Sequence, residues 1–464
     1  MMKNMTLSNV ALCTNGYYYG SEKDRDICIG SVTSDSRKAT KNSLFVPLKG
    51  NNADGHDFID NVVTGGGFTL SEKKLTQEHE PYILVEDCSK AIKDIAAFYR
   101  QQLDIKVVSV IGSVGKTTSK EMVYSVLSQK YNTLKTEGNF NNELGLPLTV
   151  FRLEEEHKMA VLEMGISDFG EMSRLAKVAR PDALVFTNVG PCHLENLIDL
   201  AGVLKAKSEV FEYMPQDAPI VVNGDDEYLR KIEHIYNRKP YYYCMKDESY
   251  AVLKDMGVDN ERICRASNIN ISDAGCASFD MTIAEDTISI SLSVAGTHQI
   301  MNAMAAALIG KVYGLSKEMI VSGLEGAKTI SGRSNIIKSG DFSIIDDCYN
   351  ANPISMKASI DMLSSLNGRK IAVLGDMGEL GKDEMKLHYE VGKYAAGKKI
   401  DALFLCGPLS EEIKKGASEI KNIYHFTDKE ELIARLKEYI RQGDNVLVKA
   451  SHFMGFDEIV NKIQ

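Results

Sequence analysis

KVVSVIGSVGKTTSKEMVYSVLSQ, residues 106–129, decides the fold. The stretch from Lys106 to Ile111 is short, apolar and β-branched, as a strand covered on both faces requires. From Lys116 to about Lys130 the sequence reads as a helix. Between them lies Gly112-Ser113-Val114-Gly115-Lys116-Thr117-Thr118. Glycines in such a turn let backbone N–H groups curl around phosphate oxygens, and the helix start adds positive potential. Lys116 is placed to bridge the β- and γ-phosphates of a nucleotide, and the Thr117 hydroxyl to reach Mg²⁺. The spacing GxxGKT is shorter than the general GxxxxGK[ST] pattern, so the string alone is also compatible with a tight turn carrying an exposed lysine. A strand before it and a helix after it favour nucleotide phosphate.

Outward from this turn, strand and helix alternate. MAVLEMG (159–165) precedes a helix through Arg180, ALVFTNVG (183–190) precedes another from about Leu200 to Tyr213, and PIVVNGDD (219–226) follows. Short apolar strands separated by helices describe a mostly parallel sheet with crossovers. A β-rich insert (CASFDMTI, 276–283; TISISLSVAG, 287–296) leads to the helix HQIMNAMAAALIGKVYG. Beyond the loop GAKTISGR (326–333), the segments FSIIDDCYN, KIAVLGDMG, ALFLCG and NVLVKAS alternate with helices as a second doubly wound unit. Residues 1–104 mix short β-type runs with one clear helix, SKAIKDIAAFYRQQ. The expected architecture is α/β in three domains: a small α/β domain (1–104), a central P-loop-type domain (105–330) and a Rossmann-like domain (331–464).

Bulk properties agree with this plan. A chain of 464 residues exceeds one hydrophobic core. A net charge of −10 argues against nucleic acid or an anionic membrane as the main partner. No stretch approaches the roughly 18 apolar residues of a membrane span, and the N-terminus MMKNMTLSNV lacks the apolar centre of a secretory signal. The nine cysteines are scattered, odd in number and without a CxxC pair, which speaks against a disulfide framework or zinc site and for a reducing cytoplasm.

The chain resembles the Mur ligases, cytoplasmic enzymes that build the peptide stem of peptidoglycan. In order, the matching segments are SDSR (34–37), LFVPLKG, DGHDFI, GSVGKTT, TEGNFNNELGLPLT, LEMGISDFGEM, TNVGPCHLE, LKAKSEVF, GTHQIMNAMAAA, SGR, DDCYNANPISMKA and LGDMGELG. Within the family, DDCYNANP resembles the branch that adds D-alanyl-D-alanine and not the one that adds the third stem residue. The resemblance implies ATP and Mg²⁺ as cofactors, UDP-MurNAc-tripeptide and D-alanyl-D-alanine as substrates, and an acyl-phosphate intermediate; a monomer is expected, though the sequence does not fix oligomeric state. It also implies that the first domain holds the UDP-sugar, the second ATP, and the third the incoming dipeptide and part of the nucleotide. A different class of reading, a P-loop hydrolase or switch, would turn over ATP without either substrate. A binding module that has lost catalysis is a further alternative.

Residue by residue, the resemblance assigns Glu163, at the end of a strand, and His193, after another, to Mg²⁺. Taken alone they are a strand-end carboxylate and a loop histidine. Lys207 reads alone as a solvated helical lysine, with Lys205 competing; the family's lysine is carbamylated by CO₂ and binds a second Mg²⁺, a reaction that needs a desolvated amine of lowered pKa. Asn139, Asn141 and Asn142 are placed beside substrate and phosphates, though three close amides also form turns. His298 and Asn302 share a helix face; the resemblance places Asn302 near the adenine, and helix-start capping is the alternative. Arg333 is expected to reach the γ-phosphate, Asp347 the ribose or its loop, and Tyr349, Asn350 and Asn352 the dipeptide and nucleotide. Ser36 and Arg37, supported by Asp35, are candidates for the UDP-sugar. The family's KGSRxMxME reads KASHFMGF (449–456) here, so His452 removes a permanent charge, and Gly65-Gly66-Gly67 stand where alanines are usual.

Overall fold

A computed structural model describes residues 1–50 and 53–464. Three sheets organise it. The first has five short strands in the order Tyr17–Tyr19, Tyr82–Leu84, Phe68–Ser71, Ser43–Phe45, Ser31–Thr33, parallel except at its first pair. Its helix Cys88–Gln101 is capped by Asp87, whose carboxylate accepts from Ser89 and Lys90 N–H. The buried stripe of that helix runs on into the second unit: Tyr99 donates to the Leu153 carbonyl at 2.6 Å, and Arg100 donates to the carbonyls of Ala179, Leu103 and Ile105. One continuous apolar cluster extends from Met2 to Ile263, so the two units share a core.

The second sheet has nine strands, in the order Asp286–Ala295, Cys276–Ile283, Ile263–Ile271, Tyr241–Cys244, Ile220–Asn223, Ala183–Phe186, Lys106–Ile111, Met159–Glu163, Thr133–Lys135. The first three form an antiparallel ribbon and the rest run parallel. Lys106–Ile111 lies between Met159–Glu163 and Ala183–Phe186, pairing Val110 with Glu163 and Ile111 with Phe186. The chain therefore leaves this strand at a topological switch point, where a crevice opens beyond the strand ends. The helix His298–Val312 is buried nearly all round and packs on the helix Lys116–Leu127.

The third sheet follows the order Asn335–Ser339, Phe342–Asp346, Asn445–Lys449, Lys370–Gly375, Ala402–Cys406, Ile423–Phe426, with only the first pair antiparallel. Two expected helices end early. The helix after the phosphate turn stops at Leu127, and that from Leu200 stops at Ser208 and continues as a 3₁₀ turn, Glu209–Tyr213. There Glu209 turns inward to accept from Gly170 and Ser173 N–H, a tertiary tie invisible in local sequence. Among the described residues no helix is long and apolar enough to cross a membrane.

Candidate active site

The turn after Ile111 is held by the segment that follows Phe186. Val114 N–H donates to Asn188 Oδ1 (2.9 Å), Ser113 N–H to the Asn188 carbonyl (3.1 Å), and Ser113 Oγ to the Gly190 carbonyl (3.0 Å). Gly112, at φ 143°, is tight against this segment: a Cβ there would sit 2.0 Å from Thr187 Oγ1. Gly115, at φ 80°, opens the helix Lys116–Leu127. Its first turn leaves the N–H groups of Lys116, Thr117 and Thr118 without intrahelical acceptors, pointing into a cavity. Lys116 Nζ folds back onto the Gly112 carbonyl (3.0 Å) and lies 3.5 Å from that of Ser113. Burial pushes its pKa down, with Glu163 opposing.

The cavity, about 520 Å³, is walled by both larger units. Ser113 to Thr118, Asn141, Asn142, Glu163, His193, His298 and Asn302 come from one side, and Arg333, Asp347, Tyr349, Asn350 and Asn352 from the other. Glu163 is buried beside Thr117. Its Oε1 accepts from Asn141 Nδ2 (2.8 Å) and Thr117 Oγ1 (3.2 Å), while its Oε2 is buried with no partner. An orphaned buried carboxylate oxygen is costly unless something cationic meets it. With a threonine hydroxyl and the His193 ring on the same cavity, this donor set suits a hard divalent cation such as Mg²⁺. His193 Nδ1 lies 2.5 Å from Glu379 Oε2 and holds that carboxyl below its usual range. Despite that proximity His193 Nδ1 has no hydrogen-bond partner, nor does the buried His298 Nδ1, whose ring pKa is lowered by burial.

Lys207 and Lys205 are separated plainly. Lys205 is exposed, its ammonium 5.9 Å from the Phe169 ring centroid. Lys207 is 1% exposed, and its pKa falls to about 8, chiefly through burial and further through Lys116, with Cys192 opposing. It does not line the cavity, and neither do Gly112 or the exposed Asn139. Ser36 and Arg37 are in the first unit, away from this cavity; Arg37 forms a bidentate pair with Asp35 (2.9 Å each).

Several amides and one carboxylate are already engaged by the protein. Asn302 accepts from Ser119 Oγ (2.8 Å) and donates to Gln299 (2.9 Å), tying two helices together. Asn142 accepts from Gly145 N–H (2.8 Å), and Asn352 caps the helix Pro353–Ser365 in a capping box with Ser355. Asp347 receives Lys449 Nζ (2.6 Å), Ser359 Oγ and Ser334 N–H (2.9 Å). That buried pair braces the loop carrying Tyr349, whose ring lies 4.0 Å from the Arg333 guanidinium and 5.3 Å from the His452 ring. Sequence reasoning missed Asn188 and the Asp347–Lys449 pair; the only signal was their position just after a strand or at its end.

Residues 110–310 match the Mur ligase middle domain, and residues 332–452 the domain described as Mur ligase, glutamate ligase domain. The chain is 36% identical over its full length to the UDP-N-acetylmuramoyl-tripeptide–D-alanyl-D-alanine ligase of Bacillus subtilis, covering 99% of that protein. Its fold is similar to MurF from Acinetobacter baumannii (TM-score 0.88, 30% identity, 100% of this chain and 99% of that one). It is also similar to MurF from Thermotoga maritima in complex with ADP (TM-score 0.82, 28% identity, 93% and 96%). With its motifs in order and two family domains covering both walls of the cavity, the chain belongs to the Mur ligase family, on the branch that MurF represents.

Proposed function

We propose that the protein is an ATP-dependent ligase that joins the terminal carboxylate of UDP-MurNAc-tripeptide to the amino group of D-alanyl-D-alanine. The observation that carries this reading is the single cavity into which the phosphate turn, the orphaned Glu163 oxygen and Arg333 all open. Two anions, the ATP tail and a carboxylate, must be held together against their repulsion, and fixed cations in a walled site do this best.

In this reading the N–H groups of Lys116, Thr117 and Thr118 bind the β- and γ-phosphates. Lys116 leaves the Gly112 carbonyl to follow the transferring group, and Arg333 meets it from the opposite wall. The carboxylate oxygen takes the γ-phosphoryl group and ADP leaves. The dipeptide amine then attacks the acyl carbon, loses a proton, and the tetrahedral intermediate expels phosphate. Thr117, Glu163, His193 and a carbamylated Lys207 would hold Mg²⁺, which when bound neutralises phosphate charge. Tyr349, Asn350 and Asn352 face the incoming dipeptide, Asn139, Asn141 and Asn142 the acceptor, and Asp347 and Asn302 shape the nucleotide pocket. Ser36 and Arg37 would meet the UDP-sugar. The three domains divide at 104 and 330, and the enzyme works as a monomer in the cytoplasm, a compartment in keeping with nine free thiols.

The test is an amide-forming assay with UDP-MurNAc-tripeptides ending in lysine or diaminopimelate, with D-alanyl-D-alanine or single amino acids. Phosphate release is expected only when tripeptide and dipeptide are both present. Steady ATP turnover with neither would instead favour the switch reading.

A further inference from the structure

Among the described residues the C-terminal unit meets the central one on the hinge side and beside the cavity. On the hinge side, Asn367 Nδ2 donates to Asp273 Oδ1 (2.9 Å), and a Cβ on Gly275 would meet Leu366 at 3.3 Å. The other contact lies at residues 190–195, beside the cavity, and the turn that carries it ends at Ile198. Leu194 N–H donates to the Glu379 carbonyl (3.0 Å), and Glu379 Oε2 lies 2.5 Å from His193 Nδ1. Ile354 fills the space that a side chain on Gly190 would need, 2.2 Å from such a Cβ.

Backbone strain gathers at this second contact. His193 (φ 51°), Ile198 (φ 72°) and Glu379 (φ 62°) all occupy the left-handed region without being glycine. A β-branched residue there is a genuine outlier, and Ile198 gains no burial in return, since it is 68% exposed. Residues so held persist where the surroundings over-determine them, characteristically at switches and active sites. The Glu379 loop is braced from behind: Met377 N–H donates to His388 Nε2 (2.8 Å) and Gly378 N–H to Ser451 Oγ (2.8 Å). Its tip faces solvent, with side-chain exposures of 28% for His193 and 60% for Glu379. A pair this open adds little to fold stability, which suits a contact made and broken during turnover.

We infer that Glu379 is a positioning residue whose carboxylate and carbonyl latch the C-terminal unit onto the His193 turn, seating Arg333 and Tyr349 over the phosphate loop. The inference rests on the ligase reading above for its kinetic consequence, though not for its structural one.

Glu379→Ala, Glu379→Gln and wild type are compared in the amide-forming assay, by thermal melting, and by small-angle X-ray scattering with and without a non-hydrolysable ATP analogue and Mg²⁺. Misplacing reacting groups by about 1 Å costs up to about a hundredfold in rate. Glu379→Ala should therefore lose about tenfold or more in kcat. Its melting temperature should be unchanged, and its ligand-bound scattering should remain more extended than that of wild type. Glu379→Gln, which keeps an acceptor oxygen, should recover most of the rate. Glu379→Lys, opposing His193 with a cation at an exposed position, should lose at least as much as the alanine variant and serves if the latter melts early. Alanine and lysine variants with wild-type kcat and wild-type compaction would overturn the latch. Should wild type form no amide, the ligase reading fails, and the scattering comparison still decides the latch.

Discussion

Lys116→Ala is expected to abolish amide formation and the accompanying phosphate release, a loss of at least about 10³-fold in kcat. The reasoning is electrostatic. Transfer of a phosphoryl group to a carboxylate brings negative charges together, and the groups that offset this act best when already in place. Lys116 is the cation at the head of the phosphate turn, and its ammonium donates to carbonyls of its own loop, Gly112 and Ser113. Its removal therefore takes away charge without breaking a tie between elements, and the thermal melt should match wild type. Arg333, on the opposite wall, cannot substitute, because it approaches from the C-terminal unit and is stacked on Tyr349. A variant retaining activity within tenfold of wild type would remove Lys116 from phosphoryl transfer.

Lys207→Ala is expected to cost about 10²- to 10³-fold, on the scale of losing one pre-placed electrostatic group, and to be partly rescued by a small carboxylate such as formate or acetate. Burial explains both halves of this expectation. An ammonium at a site 1% exposed is disfavoured, and a pKa of about 8 leaves a substantial neutral fraction near physiological pH. Only the neutral amine adds CO₂, so native mass spectrometry should find one added CO₂ on the wild-type protein, in an amount that rises with pH through about 8 at fixed dissolved CO₂. The variant leaves a hole in which an added carboxylate can stand for the missing carbamate. Near-normal activity of Lys207→Ala, with no response to formate, would exclude the residue from the mechanism.

The two lysines also mark what a sequence can disclose. The phosphate turn was legible because its signal is local: a β-branched run, two glycines at fixed spacing and a helical stretch, all within residues 106–129. Glu163 was legible for a related reason, since a carboxylate ending a buried strand lies at the crevice of any doubly wound sheet. Lys207 was not legible from its own segment, where LKAKSEVF places two lysines two residues apart on roughly opposite helix faces and only tertiary packing decides which is buried. Resemblance to a family supplied that choice. The amides carry a second, structural duty. Asn142, Asn302 and Asn352 line the cavity as expected, yet each spends hydrogen-bonding capacity on a cap or a helix-to-helix tie, the blander reading of such residues.

Elsewhere the sequence withheld whole elements. The strand Tyr241–Cys244 and the helix Asp247–Asp255 were not foreseen, because YYYC is too short to display a period and the helix carries only a weakly apolar face. The strand Ile263–Ile271 begins buried and ends exposed as the ribbon runs out into solvent, so its alternation fades halfway. The replacement of arginine by His452 has a structural counterpart: its ring packs against Tyr349, on the loop that the buried Asp347–Lys449 pair holds in place.

All of the chemistry depends on the turn between Ile111 and Thr117 gripping a triphosphate. The most direct measurement is a crystal structure of the protein with a non-hydrolysable ATP analogue and Mg²⁺. The predicted result places β- and γ-phosphate oxygens against the N–H groups of Lys116, Thr117 and Thr118, with Lys116 Nζ moved from the Gly112 carbonyl to the γ-phosphate and a cation against Glu163 Oε2. An analogue bound elsewhere, with the turn empty and Lys116 still folded onto Gly112, would contradict it.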